Sequence, residues 1–292
     1  MNTYYDCSAY NIDALDGLVE NNSAVCVPSP GINDYKMETG FEIHMPKGIV
    51  RGNIAENFVN GFLFLGWNNY IAYQEGYNRN LLIENNKTRG SIRAIALWGD
   101  YLYANRLLAN MRILNNDLQL SLDKYGTNNM YYNISGHIVC TNAGADKGIF
   151  KDIEIAGNDM TVVSPFGWGI DLWSYRTYIE QGGGINLCSN NKCVGWRIHD
   201  NRIQYPYSVF KIMTYDVANY HEDIEIKNNI LTDCARFRMY DDKQPPRGFD
   251  GVYVVENARN VSANGDKITG ILPVGYIKKG INTQNINISY LA

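Results

Sequence analysis

The 292-residue chain has no apolar run approaching the roughly 20 residues needed to cross a bilayer as a helix. A membrane is therefore set aside as a partner. An excess of positive charge is also missing, since 26 Lys and Arg against 30 Asp and Glu leave a formal net charge of −4. Binding of nucleic acid relies on a basic stripe that neutralises phosphates, so nucleic acid is set aside as well. The first 25 residues carry Asp6, Asp13, Asp16 and Glu20 where a signal peptide needs a basic start and an apolar stretch. Six cysteines (Cys7, Cys26, Cys140, Cys188, Cys193 and Cys234) are scattered, and only Cys188 and Cys193 lie close enough in sequence to suggest a site. No second close pair completes a zinc centre. Reduced, buried thiols are the expectation, with a Cys188–Cys193 disulfide as the alternative for a protein that works outside cells. Neither Gly-x-Ser-x-Gly nor His-Glu-x-x-His occurs, and Gly182-Gly183-Gly184 lacks the strand-to-helix setting of a phosphate cradle. No cofactor or metal is implied.

What the chain does have is turn chemistry. Asn occurs 36 times and Gly 27 times, and Tyr outnumbers Phe by 22 to 9. Tyr combines an apolar ring face with a polar handle, which suits wet, sugar-facing surfaces.

One short unit keeps returning: alternating apolar residues, an Asn-containing turn, then another apolar pair. It reads Leu82-Ile83-Glu84-Asn85-Asn86, Met111-Arg112-Ile113-Leu114-Asn115-Asn116 and Ile153-Glu154-Ile155-Ala156-Gly157-Asn158. It returns as Trp196-Arg197-Ile198-His199-Asp200-Asn201 and Ile224-Glu225-Ile226-Lys227-Asn228-Asn229, with a degenerate copy ending at Asp266. The gaps between Asn86, Asn116, Asn158, Asn201 and Asn229 are 30, 42, 43 and 28 residues. Period-2 alternation marks strands, and repetition marks a solenoid with constant strands and variable loops. A β-sandwich with Asn-rich turns is the alternative, and near-identical units separated by irregular loops argue against it. Asn fits the turn because it tolerates left-handed backbone angles and bonds neighbouring backbone. Stacked at one position, these five Asn residues should line one edge.

At the start, Asn11-Ile12-Asp13-Ala14-Leu15-Asp16-Gly17-Leu18-Val19 reads as a short amphipathic helix. It leads into Ala24-Val25-Cys26-Val27-Pro28 and Phe41-Glu42-Ile43-His44-Met45-Pro46-Lys47-Gly48-Ile49. A helix at this place would cap the open end of a solenoid. Residues 1–50 are thus read as an N-terminal cap with the first strands, and 51–292 as one continuous parallel β-helix. The Asn-Ile-Asp-Ala-Leu segment, the Val-x-Val-Pro strand and the Ile-x-x-Pro-x-Gly strand resemble the entry to the pectate-lyase-like superfamily. Within it the closest likeness is to phage tailspike depolymerases, although the usual Gly-Asp-Gly-x-x-Asp-Asp opening is missing. The resemblance implies an all-β, right-handed, single-stranded parallel β-helix with three-strand rungs. It further implies a homotrimer and a place in a phage virion tail or outside the cell.

Carried over from that fold, the first strand of each rung falls at 134–140, 170–175, 210–215 and 237–242. Alternation then turns Phe210 and Ile212 inward, and leaves Asp171, Trp173, Tyr175, Lys211, Met213, Tyr215, Arg238, Tyr240 and Asp242 outward. His137, Asp171, Lys211 and Arg238 should share one outer column, on the face that serves the superfamily as substrate groove. His44, His199 and His221 read as surface or turn residues. Three functions compete. A glycoside hydrolase acting on a bacterial surface or capsular polysaccharide needs a proton donor and a second carboxylate. Asp171 and Asp242 come out roughly 16 Å apart from strand and rung spacings, too wide for the usual inverting pair at about 6.5–9.5 Å, so Glu180 on the 176–194 loop is the expected partner. A polysaccharide lyase on a uronate-containing glycan would use Lys211, Arg238 or a Tyr. An adhesin would only bind glycan through Trp173, Tyr175, Tyr215, Tyr240 and His137.

Overall fold

The computed structural model describes residues 8–27, 38–45, 47–65, 80–99, 107–121, 135–142, 149–163, 184–187, 192–205, 208–214, 220–234, 251–269 and 277–291. These residues form strands that fall into nine successive coils. Coil 1 holds β1 (Ser8–Asp13), β2 (Gly17–Glu20) and β3 (Ser23–Val25); coil 2 holds β4 (Thr39–His44), β5 (Lys47–Arg51) and β6 (Ile54–Glu56). Coil 3 holds β7 (Asn60–Leu65), β8 (Asn80–Glu84) and β9 (Lys87–Ser91); coil 4 holds β10 (Arg93–Gly99), β11 (Leu107–Ala109), β12 (Met111–Leu114) and β13 (Asp117–Ser121). Coil 5 has β14 (Gly136–Asn142), β15 (Ile149–Lys151), β16 (Glu154–Ala156) and β17 (Asp159–Val163). Coil 6 has β18 (Ile185–Asn186), β19 (Lys192–His199) and β20 (Arg202–Gln204). Coil 7 has β21 (Phe210–Met213), β22 (His221–Lys227) and β23 (Ile230–Thr232). Coil 8 is β24 (Tyr253–Glu256) and β25 (Ala258–Thr269), and coil 9 is β26 (Ile277–Lys279) and β27 (Thr283–Leu291).

Each strand pairs in parallel with its counterpart one coil away. The first strands build one nine-stranded sheet in the order β1-β4-β7-β10-β14-β18-β21-β24-β26, and the remaining strands form an eighteen-stranded sheet. The arrangement is all-β, with every described strand pair parallel, and is compatible with a parallel β-helix. The hydrophobic interior lies between the two sheets. In the first sheet it takes alternate positions, such as Phe41, Ile43, Phe62 and Phe64, and in the second Val50, Ile83, Ile113, Ile155, Ile198 and Ile226. Rings stack from coil to coil, with Tyr10, Phe41 and Phe62 at 4.8 and 5.0 Å and Phe210 on Tyr253 at 5.3 Å. The stacking follows from the register, which places like residues over like at the strand spacing of about 4.8 Å.

The Asn edge exists and is longer than the sequence repeat suggested. Asn22, Asn53, Asn86, Asn116, Asn158, Asn201 and Asn229 form a continuous row. Each of the first six donates its backbone N–H and its Nδ2–H to the Oδ1 of the next Asn, at 2.9–3.1 Å. From Asn53 onward the second Nδ2 hydrogen goes to a main-chain carbonyl of the preceding coil, for example Val50 from Asn86 and Ile113 from Asn158. A repeated amide thus uses both its donors and its acceptor in the interior, which is the condition for burying it. The residue before each of these seven, and before Asp266, which accepts from Asn229 at the end of the row, has φ between 54° and 70°: Asn21, Gly52, Asn85, Asn115, Gly157, Asp200, Asn228 and Gly265. At Gly157 a side chain is excluded twice over, because an added Cβ would also sit 2.3 Å from Asn115 Oδ1.

The expected helix over residues 11–19 does not form. Ser8–Asp13 and Gly17–Glu20 are strands β1 and β2, in register with coil 2 (Tyr10 with Phe41, Leu18 with Ile49). The helix-like spacing of Ile12, Leu15 and Val19 comes from a strand, a bend and a second strand. Ile12 and Val19 pack inward against the core while Leu15 and Leu18 are exposed. Pairing with an existing sheet edge satisfies the backbone of this segment at once, and that outweighs a marginal helix of two turns.

Candidate functional site on the outward face of the first sheet

Alternation in the first sheet turns Phe41 and Ile43 inward and Glu42 and His44 outward. All six residues of β4 are nevertheless buried. The same holds along the outward column that follows Glu42 in register: Leu63, Ala96, Val139, Asn186, Lys211 and Val254 are each at most 6% exposed. This face is therefore shielded from solvent, whereas the outward positions of β12, β16 and β22 are half-buried to exposed.

Two polar stations stand on it. At coils 1 and 2, Glu42 accepts a hydrogen bond from Ser8 Oγ, and its Oε1 lies 2.9 Å from His44 Nε2. The bond from His44 holds the Glu42 carboxyl below the usual carboxylate range, against the opposing effect of burial. Glu42 is thus the ionised acceptor, and His44 Nε2 donates to it. Asn11 and Asp13 are the register partners of Glu42 and His44 on coil 1. At coils 6 and 7, Asn186 and Lys211 are neighbours in register. Apolar Leu63, Ala96 and Val139 separate the two stations, across coils 3 to 5. Among the described residues no group of three His, Cys, Asp or Glu side chains is arranged to hold a metal ion.

The residues expected to form the site fare unevenly. Phe210 and Ile212 point inward as expected. Lys211 points outward but is only 3% exposed, and its register neighbours are Asn186 and Val254. The neighbouring positions expected for strands 170–175 and 237–242 belong to β18 and β24, so Asp171 and Arg238 are not the cross-strand partners of Lys211. The long connections displaced the register because nothing in the local alternation of 170–175 or 237–242 distinguishes them from the strands that pair.

His137 is not on the outer face. It is fully buried, with Nε2 donating to the Thr161 carbonyl at 2.9 Å and its ring edge-on to Tyr205 at 6.0 Å. Burial pushes its imidazole down to about 4, so it is neutral at neutral pH and is no charged ligand for a sugar. The backbone N–H groups of both His137 and Ile138 meet the Gly184 carbonyl, which breaks the strict alternation at the start of β14. Asp171, Trp173, Tyr175, Glu180, Tyr215, Arg238, Tyr240 and Asp242 lie outside the described residues.

The Glu42–His44 pair went unremarked in the sequence, although the alternation Phe41-Glu42-Ile43-His44 already set both on one face. His221 is an interior residue too: Nδ1 accepts the Cys193 N–H at 3.1 Å, and Nε2 faces the carbonyls of Leu187 and Met213 at 2.7 and 2.9 Å. His199 alone behaves as a surface residue, between Glu154 and Asp200. No protein-family model matches the chain, and no curated protein or solved structure matches it either.

Proposed function

We propose that the chain is a right-handed parallel β-helix of the pectate-lyase-like kind that degrades a bacterial surface or capsular polysaccharide as a glycoside hydrolase. The observation that carries this reading is the carboxylate–imidazole pair Glu42–His44, held at 2.9 Å on the outward side of the first sheet and at most 9% exposed, so that a glycan reaches it only by displacing what shields that side. Hydrolysis requires one carboxyl group that donates a proton and one that stays ionised. Glu42, with its pKa held low, fits the ionised role and not the donor. The donor then comes from Asp171, Glu180 or Asp242, and Trp173, Tyr175, Tyr215 and Tyr240 supply ring faces for sugar C–H groups.

A second reading is a polysaccharide lyase, in which Lys211, outward beside Asn186 on the first sheet, or Arg238 neutralises a uronate and a Tyr abstracts the proton next to it. Incubation with a panel of capsular polysaccharides, followed by sizing of products, separates the readings. New reducing ends alone support the hydrolase, and ultraviolet-absorbing unsaturated ends support the lyase. Glycan retention without any product would leave only an adhesin. Glu42→Gln should abolish turnover in the hydrolase, and full activity in that variant removes Glu42 from the mechanism. Assembly as a homotrimer in a virion tail belongs to the same proposal, and a monomeric mass by light scattering at micromolar concentration removes it.

A further inference from the structure

We propose that Cys140 and Cys193 form a disulfide in oxidising surroundings, a covalent staple between coils 5 and 6. Cys140 lies on the inner side of β14 and Cys193 on the inner side of β19, one coil further along. Their Sγ atoms are 4.0 Å apart, and both thiols are free and fully buried. Bonded sulfurs sit about 2.05 Å apart, so closing the bond moves each sulfur by roughly 1 Å. Sequence spacing offers Cys188, which lies outside the described residues, as an alternative partner; the structure sets Cys140, 53 residues away, against Cys193.

The place in the fold gives the bond a purpose. Both residues stand where the chain leaves the first sheet and enters the second. At that corner the connection differs from coil to coil, between β14 and β15, β18 and β19, and β21 and β22. The Asn corner, by contrast, turns in two residues and is tied across coils by the amide row. His221 of coil 7 anchors one side of the corner: it receives the Cys193 N–H and faces the carbonyls of Leu187 and Met213. The Cys193 backbone is thereby fixed while its sulfur rests against Cys140. A disulfide closing a loop of 53 residues restricts the unfolded chain more than a short-range pair would.

With glutathione disulfide as oxidant the chemistry balances. The Cys193 thiolate attacks one sulfur of glutathione disulfide, forming a mixed disulfide and releasing one glutathione thiolate. The Cys140 thiolate then attacks the Cys193 sulfur, closing the Sγ–Sγ bond and releasing a second glutathione. Two protein thiols are oxidised, one glutathione disulfide is reduced, and the two thiol protons end on the two glutathiones. Because both sulfurs are inaccessible in the finished core, the exchange takes place while the coils assemble.

The test is to refold the full chain from reduced denaturant, once in a glutathione redox buffer and once with dithiothreitol. Remaining thiols are then alkylated in denaturant and the peptides mapped by mass spectrometry. The expected result is one joined peptide containing Cys140 and Cys193, with an unfolding temperature roughly 5–10 °C above that of the reduced sample. Cys140→Ser should remove both the joined peptide and the temperature shift, while Cys188→Ser should keep both. Alkylation of both Cys140 and Cys193 in the oxidised sample overturns the proposal, as does a peptide joining Cys193 to Cys188. Should Cys140→Ser fail to fold, the wild-type peptide map still decides.

Discussion

Two rows of side chains run along this molecule, one inside and one outside, and the same strand repeat produces both. The inner row is the amide ladder from Asn22 to Asn229, buried at 0–1% exposure from Asn53 onward. The outer row follows the register Leu18, Ile49, Leu82, Arg112, Glu154, Arg197, Glu225 along the second sheet. Inside, the residue type is held through seven coils. Outside, it changes from apolar to alternating charge at coil 4, with Glu154 meeting Arg112 at 3.0 Å and Arg197 at 3.7 Å. Burial explains the contrast. A polar group without water must find every partner in the protein, and only the identical group one coil away offers the right ones. An exposed charge is solvated whatever stands beside it, so its row is free to drift.

The largest expected effect comes from breaking the inner row in its middle. Asn158→Ala leaves the Asn116 N–H and Nδ2–H and the Ile113 carbonyl without their partner, at about 1–3 kcal/mol for each orphaned group. We expect a loss of about 3–5 kcal/mol in urea unfolding at pH 7. A loss below about 1 kcal/mol would mean that water enters the row and would end the argument from satisfaction.

Next in size is the turn that feeds the row. Gly157→Ala forces a Cβ against Asn115 Oδ1 at a φ of 66°. A cost of roughly 1–3 kcal/mol follows from the left-handed backbone and the clash. Asn115→Gly should recover part of it, because the clash disappears and the strain does not. Equal stability of the single and double variants would show that backbone strain alone matters.

The end of the row differs again. Asp266 stands where an eighth Asn would be, accepting from the Asn229 N–H at 2.7 Å, Asn229 Nδ2 at 2.9 Å and Tyr253 OH at 2.6 Å. Burial, the larger effect, still pushes its carboxyl above the usual value, and it pushes the Tyr253 phenol up as well. A folded-state pKa raised above the unfolded one means that the native protein binds the proton more tightly. The stability from this group is therefore full below about pH 4, and it is lost as pH rises through the raised value. Asp266→Asn removes that slope and restores an amide to the row. The wild type minus variant stability, measured by urea unfolding from pH 4 to 7, should decline with pH. A flat difference would show that Asp266 titrates normally.

The smallest effect belongs to the outer row. Glu154→Ala should cost no more than about 1 kcal/mol, shrinking further in 0.5 M salt, since Arg112 and Arg197 remain solvated. A loss as large as that of Asn158→Ala would erase the distinction between the rows.

Much of this was legible from local pattern. Alternation identified the strands, and the double-Asn turns identified the edge that joins the coils. Asn22 and Asn53 were overlooked in that edge, although Asn21-Asn22 and Gly52-Asn53 show the same pairing of a left-handed residue with an amide. Within the candidate site, the outward position of Lys211 followed from alternation, as did the shared face of Glu42 and His44.

What the sequence determined by itself is therefore everything with a range of a few residues: strand parity, turn chemistry and the identity of the repeated amide. These depend on backbone angles and on neighbours one or two positions away. Tertiary structure decided which strand lies on which coil, because β18 rather than 170–175, and β24 rather than 237–242, flank β21 after long connections. It turned residues 11–19 into two strands by offering them a sheet edge, and it buried His137 against Thr161 and Tyr205. It also decided that the outward face of the first sheet is shielded and that Cys193 rests against Cys140. Burial and long-range partnership are properties of the assembled coils, and no periodicity along one strand encodes them.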